Sequence, residues 1–262
     1  MSLAPPFLRS VTLVHDRIED PSVYPFSLPA VQALDGLKLS AITYFIGENG
    51  SGKSTILEAL AVASGFNAEG GTIHFRFATR RSESPLHRCV RLGRALERPR
   101  TGFFLRAESF FNLATEIERL DAEPSFGPPI IDSYGGRSLH EQSHGESFLA
   151  LMRHRFGPNG LYILDEPEAA LSPSRQLSLL SRVHELLGEG SQFIIATHSP
   201  IVLAYPGATI YQLDERGITS IAYEQTEHVQ LTRDFLNDRG RYLRRLLSDR
   251  PEEADEADEV ER

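Results

Sequence analysis

Eight consecutive residues of this chain, Gly47 to Ser54, follow the pattern G-x-x-x-x-G-K-[ST] without a gap. The apolar and β-branched run at 41–46 predicts a strand before them, and 54–64 predicts a helix after them. Glycines let the backbone turn closely around a phosphate, and the N-terminus of the following helix attracts its negative charge. The order of strand, glycine loop and helix therefore predicts a loop that binds a nucleoside triphosphate.

Within this loop, each side chain type has an expected role. Lys53 is expected to reach the β- and γ-phosphates of ATP, and the Ser54 hydroxyl is expected to be a ligand of Mg²⁺. Lysine is rare in this chain, which has only Lys38 and Lys53, so a chance match to the pattern is rarer than usual. The predicted nucleotide-binding residues are Gly47, Glu48, Asn49, Gly50, Ser51, Gly52, Lys53, Ser54 and Thr55.

Two further apolar runs end at residues that suit phosphate chemistry. A strand is predicted at 161–164 and leads into Asp165 and Glu166, and another at 192–196 leads towards His198. Ligands of open α/β sheets bind at the carboxyl ends of the strands. We therefore expect Asp165 to hold the metal, Glu166 to orient or deprotonate the attacking water, and His198 to contact the γ-phosphate.

The alternation of buried strands and helices predicts an α/β fold with a mostly parallel sheet. Two short strands near 209–213 and 218–223 suggest a hairpin, and 226–247 reads as one amphipathic helix. The remaining predicted elements are strands at 72–77 and 103–106, helices at 110–120, 146–156 and 172–187, and a loop at 123–136. The organisation predicted is one ATPase domain over 1–247, with a helical subdomain inserted at about 107–157.

Charge is distributed unevenly along the chain, whose formal net charge is −9. Residues 248–262 carry eight acidic residues against two arginines and no aromatic residue, so we expect a disordered tail. Nine arginines lie between 76 and 106, which leaves two interpretations open: contact with nucleic acid or an acidic partner, or a solvated surface.

The sequence also bears on the compartment. Cys89 is the only cysteine, no apolar run is long enough to span a bilayer, and the first residues lack the pattern of a secretory signal. We therefore expect a cytoplasmic protein without a transmembrane segment.

Several motifs in the same order resemble those of ABC-type ATPases. Ser143, Gly145 and Glu146 resemble the ABC signature, residues 165–172 resemble the Walker B motif and D-loop, and 197–200 resemble the switch-histidine loop. Together with the phosphate loop they cover roughly residues 40 to 200. The chain is similar to small stand-alone ATPases related to the RecF, SMC and Rad50 heads.

The resemblance implies a P-loop fold of the ABC type, with an antiparallel β part and a helical signature subdomain. It also implies a homodimer formed on ATP binding, in which the signature of each subunit faces the γ-phosphate held by the other. The chain departs from the family at His144, which stands where the signature usually has its first glycine. No glutamine loop is evident, and Glu108 is the oxygen ligand that could contact Mg²⁺ in its place. Tyr24 and Phe26 are both candidates for stacking on adenine.

Three biological roles remain open at this point. The first is a mechanochemical ATPase that acts on nucleic acid in genome maintenance or defence, which the arginines favour. The second is the nucleotide-binding subunit of a membrane transporter. The third is a nucleotide-gated interaction module with little turnover.

Overall fold

The computed structural model describes residues 6–73, 84–106, 110–121, 129–138 and 144–247. They form two compact units, one ending at Ile221 and the other beginning at Ala222. Within the described ranges, every helix is too short or too polar to span a membrane.

The first unit contains two sheets. The larger has the strand order β5-β6-β7-β3-β8-β9, and the smaller has the order β2-β1-β4. In chain order the strands are β1 (Leu8–Leu13), β2 (Leu37–Lys38), β3 (Ile42–Gly47), β4 (Val90–Arg94), β5 (Thr101–Arg106), β6 (Gly160–Asp165), β7 (Gln192–Ala196), β8 (Thr209–Asp214) and β9 (Gly217–Ser220).

The larger sheet is parallel from β5 to β8, and β9 returns antiparallel to β8. Every residue of β3, β6 and β7 is buried, which explains why these strands read as continuous apolar runs instead of alternating patterns. The smaller sheet is entirely antiparallel. The predicted fold class is confirmed: a mostly parallel sheet with an antiparallel β part and helices.

Eight α-helices are found in the described ranges. They are α1 (Pro29–Gln32), α2 (Lys53–Ser64), α3 (Leu86–Cys89), α4 (Phe110–Asp121), α5 (His144–Arg155), α6 (Pro173–Gly188), α7 (Glu227–Asn237) and α8 (Arg239–Leu247). Helix α2 buries Ile56, Leu57 and Leu60 in the main apolar core, whose other members include Phe45 of β3 and Ile163 of β6. The loop that precedes α2 is thereby anchored between the sheet and the core.

The strands predicted at 103–106, 161–164 and 192–196, and the hairpin near 209–223, are confirmed with small shifts in their bounds. The same holds for the helices that became α2, α4, α5 and α6. Of the strand predicted at 72–77, residues 74–77 lie outside the described residues, as does the whole acidic tail. The domain bounds 1–247 and 107–157 remain predictions.

Two predictions of local structure were wrong. The single helix at 226–247 is divided at Asp238, whose backbone has φ −138° and ψ 67° and whose carboxylate accepts a hydrogen bond from Arg241 N–H at the start of α8. Part of the predicted loop at 123–136 is a 3₁₀ helix, Ile130–Tyr134, which ends at Gly135 with φ 101°.

Candidate functional site

The glycine loop connects β3 to α2 and depends on three left-handed glycines. The φ angles are 148° at Gly47, 84° at Gly50 and 98° at Gly52, all of which disfavour side chains. A Cβ on Gly47 would also overlap the carbonyl oxygen of Leu213 on β8. The sequence thus has glycine at each position where this backbone path requires it.

Lys53 begins α2 and is almost completely buried. Its Nζ donates hydrogen bonds to the carbonyl oxygens of Gly47 at 2.8 Å and Glu48 at 2.9 Å. Burial lowers the pKa of Lys53, whereas the nearby carboxylates of Glu166 and Asp165 act in the opposite direction. The ammonium is therefore held inside the loop and close to the acidic pair.

Ser54 and Asp165 bring together oxygen ligands suitable for a hard cation. The Ser54 hydroxyl donates to Asp165 Oδ1 at 3.1 Å. Burial raises the pKa of Asp165 to about 6, although the hydrogen bond from Ser54 partly opposes this effect. A hydroxyl beside a buried carboxylate fits Mg²⁺, which prefers oxygen ligands.

Glu166 follows β6 in an unusual conformation. Its φ and ψ angles are 50° and 54°, in the left-handed region that side chains other than glycine rarely adopt. Its Oε1 lies 3.3 Å from Nε2 of His198. Burial and the charge of Lys53 lower the pKa of His198, whereas the charge of Glu166 and the contact with it act in the opposite direction.

Strand order explains how distant residues converge. Strand β7 lies between β3 and β6, and Ala196 at its end is in register with both Phe45 and Asp165. The backbone N–H of Thr197 donates to Phe45 O, and that of Glu166 donates to Ala196 O. The glycine loop, the acidic pair and His198 therefore emerge side by side at one edge of the sheet.

The signature residues that the structure describes, Gly145 and Glu146, lie in the first turn of α5. Gly145 is buried in the first turn of α5, where a Cβ would overlap the guanidinium of Arg175 and lie close to the Ala170 carbonyl oxygen. Glu146 Oε1 is 3.8 Å from Arg175 Nη2. The signature thus packs on the segment after the acidic pair. Ser143 and Glu108 lie outside the described residues.

The two aromatic candidates for adenine differ sharply in exposure. Phe26 is 7% exposed and belongs to the apolar core. Tyr24 is 66% exposed, and its hydroxyl lies 2.8 Å from the Thr55 hydroxyl in the first turn of α2. Of these two rings, only that of Tyr24 is accessible to a base.

Sequence reasoning missed two carboxylates near this site. Glu168 accepts a hydrogen bond from the backbone N–H of His198 at 2.6 Å. Glu58 of α2 forms an ion pair of 2.7 Å with Arg106. The sequence analysis counted Arg106 among the arginines of the 76–106 cluster, but the Arg106 side chain is only 20% exposed. No local pattern distinguishes either residue, because both contacts are made with distant parts of the chain.

Two family models match parts of this chain. Residues 130–204 match a family model described as "AAA domain, putative AbiEii toxin, Type IV TA system", and residues 38–83 match one described as "AAA domain". The two matches together include the glycine loop, the signature, the acidic pair and His198.

Curated relatives cover most of the chain at modest identity. The "Probable branched-chain amino acid transport ATP-binding protein LivG" of Archaeoglobus fulgidus is 28% identical over 65% of this chain and 74% of its own length. The "Energy-coupling factor transporter ATP-binding protein EcfA2" of Streptococcus sanguinis is 28% identical over 73% of each. A solved dimeric bacterial ABC transporter cassette aligns with a TM-score of 0.45 at 13% identity, over 86% of this chain and all of that one. The family matches and the curated relatives, together with the motifs, show that this chain is similar to ABC-type P-loop ATPases.

Proposed function

We propose that this chain binds ATP with Mg²⁺ in the loop Gly47–Thr55 and hydrolyses it. The observation that supports this most is the convergence of Lys53, Ser54, Asp165, Glu166 and His198 at the carboxyl ends of three neighbouring strands. Phosphoryl transfer requires groups of these kinds. Lys53 is a cation, Ser54 and Asp165 offer oxygen ligands for a metal, Glu166 is a base, and His198 is a group that can contact the γ-phosphate. The similarity to ABC-type ATPases also supports ATP hydrolysis.

In the proposed reaction, the amides of the loop and the N-terminus of α2 bind the phosphates. Lys53 transfers its hydrogen bonds from the two loop carbonyls to phosphate oxygens. Glu166 orients the attacking water and accepts its proton, and His198, held 3.3 Å from Glu166, contacts the γ-phosphate. The exposed ring of Tyr24 stacks on adenine.

Ser54 and Asp165 are the residues that would hold Mg²⁺. When bound, the ion neutralises charge on the transferred phosphoryl group. Asp165 would supply its carboxylate and Ser54 its hydroxyl as oxygen ligands for the ion. Glu108, from the segment after β5, is a further proposed ligand.

The reaction is proposed to take place between two copies of the chain. The resemblance to ABC-type ATPases implies that Ser143, Gly145 and Glu146 face the nucleotide of a partner subunit. Within one chain, Gly145 and Glu146 pack near Ala170 and Arg175. Two copies would then enclose two ATP molecules and separate after hydrolysis. The family resemblance supports this arrangement.

The chain's two lysines provide a matched test of hydrolysis. Phosphate release is measured for the wild type, Lys53→Ala and Lys38→Ala, because Lys38 is exposed on β2 while Lys53 is buried in the loop. We expect Lys53→Ala to lower the rate by at least about a hundredfold and Lys38→Ala to leave it unchanged. Equal rates for all three proteins would leave binding alone as the function.

Dimer formation is tested separately with Glu166→Gln. This variant should bind ATP without hydrolysing it and so accumulate the closed dimer, which sedimentation or light scattering detects. Glu166→Gln combined with Lys53→Ala is the control and should remain monomeric. A nucleotide-saturated Glu166→Gln protein that stays monomeric would contradict the enclosed-nucleotide arrangement.

For the process that hydrolysis drives, we propose action on nucleic acid from a cytoplasmic location. The supporting observation is a set of exposed arginines on α3, on β4 and before β5: Arg88, Arg91, Arg94, Arg98 and Arg100. DNA or RNA should then stimulate hydrolysis, with a steep loss of stimulation as salt rises. The alternative role, that of a transporter subunit, is favoured by the names of the curated relatives. Absence of any response to nucleic acid at low salt would favour that alternative.

A further inference from the structure

Glu168 occupies a position that connects two parts of the site. It belongs to the 3₁₀ helix Pro167–Ala170, directly after the acidic pair. Its Oε1 accepts a hydrogen bond of 2.6 Å from the backbone N–H of His198, and the Thr197 side chain also donates to this carboxylate. One carboxylate therefore holds the backbone of the loop that carries His198.

A second contact holds the same loop from the same side. The Ser199 hydroxyl donates to Gln176 Oε1 at 2.6 Å, and Gln176 Nε2 in turn donates to the carbonyl oxygen of Leu171. The residues on either side of His198 are thus both tied to the segment that follows Glu166. This leaves the imidazole itself as the part of the loop directed towards Glu166.

The surroundings of Glu168 are unfavourable for a residue with only a stabilising role. Its second oxygen, Oε2, is buried and has no hydrogen-bond partner among the described residues, and the same is true of the Tyr44 hydroxyl. Tyr44 is fully buried on β3 and lies within electrostatic range of Glu168. Burial raises the pKa of Glu168, because the charged carboxylate loses favourable solvation when it is buried.

We propose that Glu168 is a positioning residue for hydrolysis, which acts by fixing the loop 197–199 so that His198 reaches Glu166 and the γ-phosphate. The proposal rests on the proposed ATP hydrolysis. Glu168 touches neither nucleotide nor water in this role. A charge-assisted hydrogen bond to the His198 backbone is stronger than a neutral one, which explains why a carboxylate occupies this position.

A double-mutant cycle with His198 tests the proposal. Glu168→Ala is expected to lower kcat on the order of tenfold, the value of one hydrogen bond to a charged group, with little change in KM for ATP. Glu168→Gln should recover most of the rate, because its amide oxygen still accepts the bond. In a His198→Ala background, Glu168→Ala should cause no further loss.

Additive losses in the His198→Ala background would overturn the proposal, as would a pure KM effect. Glu189→Ala is the matched control, since Glu189 is exposed after the end of α6, and it should behave as wild type. Thermal unfolding of each variant identifies losses caused by a general failure to fold. If Glu168→Ala does not fold, the comparison of Glu168→Gln with Glu168→Asp in both backgrounds replaces it.

A measurement without catalysis separates this proposal from the proposed function. In protein labelled with ¹⁵N-histidine, the amide signal of His198 is assigned by its loss in His198→Gln. Glu168→Gln should shift this signal because a carboxylate acceptor is replaced by a neutral amide, and an unchanged signal would overturn the proposal. A wild type that hydrolyses no ATP would refute the proposed function, yet the amide shift would still decide whether Glu168 holds the loop.

Discussion

The hydroxyl of Ser54 donates a hydrogen bond of 3.1 Å to Oδ1 of Asp165, although the two residues are 111 positions apart. The contact joins the first turn of α2 to the last residue of β6, across the end of the intervening β7. Both groups are oxygen ligands, and they already lie within the distance that one bound cation requires. The pair therefore leads to a prediction that concerns stability as well as catalysis.

Asp165→Asn should stabilise the ligand-free protein above pH 6. In the folded state the pKa of Asp165 is raised from 3.8 to about 6, so its contribution to stability is full below pH 3.8 and is lost as the pH rises towards 6. A shift of this size corresponds to about 3 kcal/mol. In urea unfolding, the variant should have a higher free energy of unfolding than the wild type at pH 8 and almost the same value at pH 4. Adding ATP and Mg²⁺ should stabilise the wild type more than the variant. An equal difference in the free energy of unfolding at both pH values would contradict a raised pKa of Asp165.

Tyr24→Ala should weaken ATP binding on the order of tenfold, because base stacking on an aromatic ring contributes about 1–3 kcal/mol. Tyr24→Phe keeps the ring and should bind almost normally, although it loses the contact with the Thr55 hydroxyl. Phe26→Leu should instead lower the free energy of unfolding and leave affinity unchanged, since Phe26 lies in the core. Calorimetric titration of ATP into the three variants measures these differences. A loss of affinity confined to Phe26→Leu would reverse the assignment.

Gly47→Ala should destabilise the protein more than Gly50→Ala. Both positions have positive φ, which costs about 1–2 kcal/mol for alanine. At Gly50 the added methyl group meets open space, whereas at Gly47 it overlaps the Leu213 carbonyl oxygen and requires a backbone shift. Free energies of unfolding from denaturant titration test the order of the two variants. Equal losses of unfolding free energy would mean that the backbone near Leu213 of β8 shifts without a measurable cost.

Glu58→Ala should lower the free energy of unfolding by about 3 kcal/mol, because it removes a mostly buried carboxylate from the Arg106 guanidinium. The control is Glu185→Ala, which breaks the ion pair with Arg182 at the surface of α6 and should cost less than about 1 kcal/mol. Both pairs have a distance near 2.8 Å, but Glu58 also accepts a hydrogen bond from the backbone N–H of Ser84, so the comparison measures the buried carboxylate together with all its contacts. Similar losses in the two variants would show that burial of the Arg106 pair has no special weight.

The parts of the fold that sequence predicts well are those whose pattern is local. The glycine loop and α2 follow from consecutive residues, and β6 and β7 are recognisable because strands buried on both faces are apolar throughout. The division between α7 and α8 was missed because it depends on one side chain, Asp238, which caps the second helix without interrupting the apolar pattern.

The sequence motifs did not predict the burial of site residues or their contacts with distant parts of the chain. The motifs placed Asp165 and His198 at one sheet edge, because the ends of parallel strands meet there. They did not distinguish Tyr24 from Phe26, since both are aromatic and only burial separates them. The sequence analysis included Glu168 only as part of the D-loop and gave it no role, because its contact with His198 forms only when β6 and β7 pair.

The backbone at Glu166 implies a conflict between durability and activity. A left-handed residue with a side chain costs about 1–3 kcal/mol, whereas glycine adopts this conformation freely and asparagine tolerates it better than glutamate. A library selected only for heat resistance should therefore enrich Gly or Asn at 166 and yield robust proteins that no longer turn over ATP.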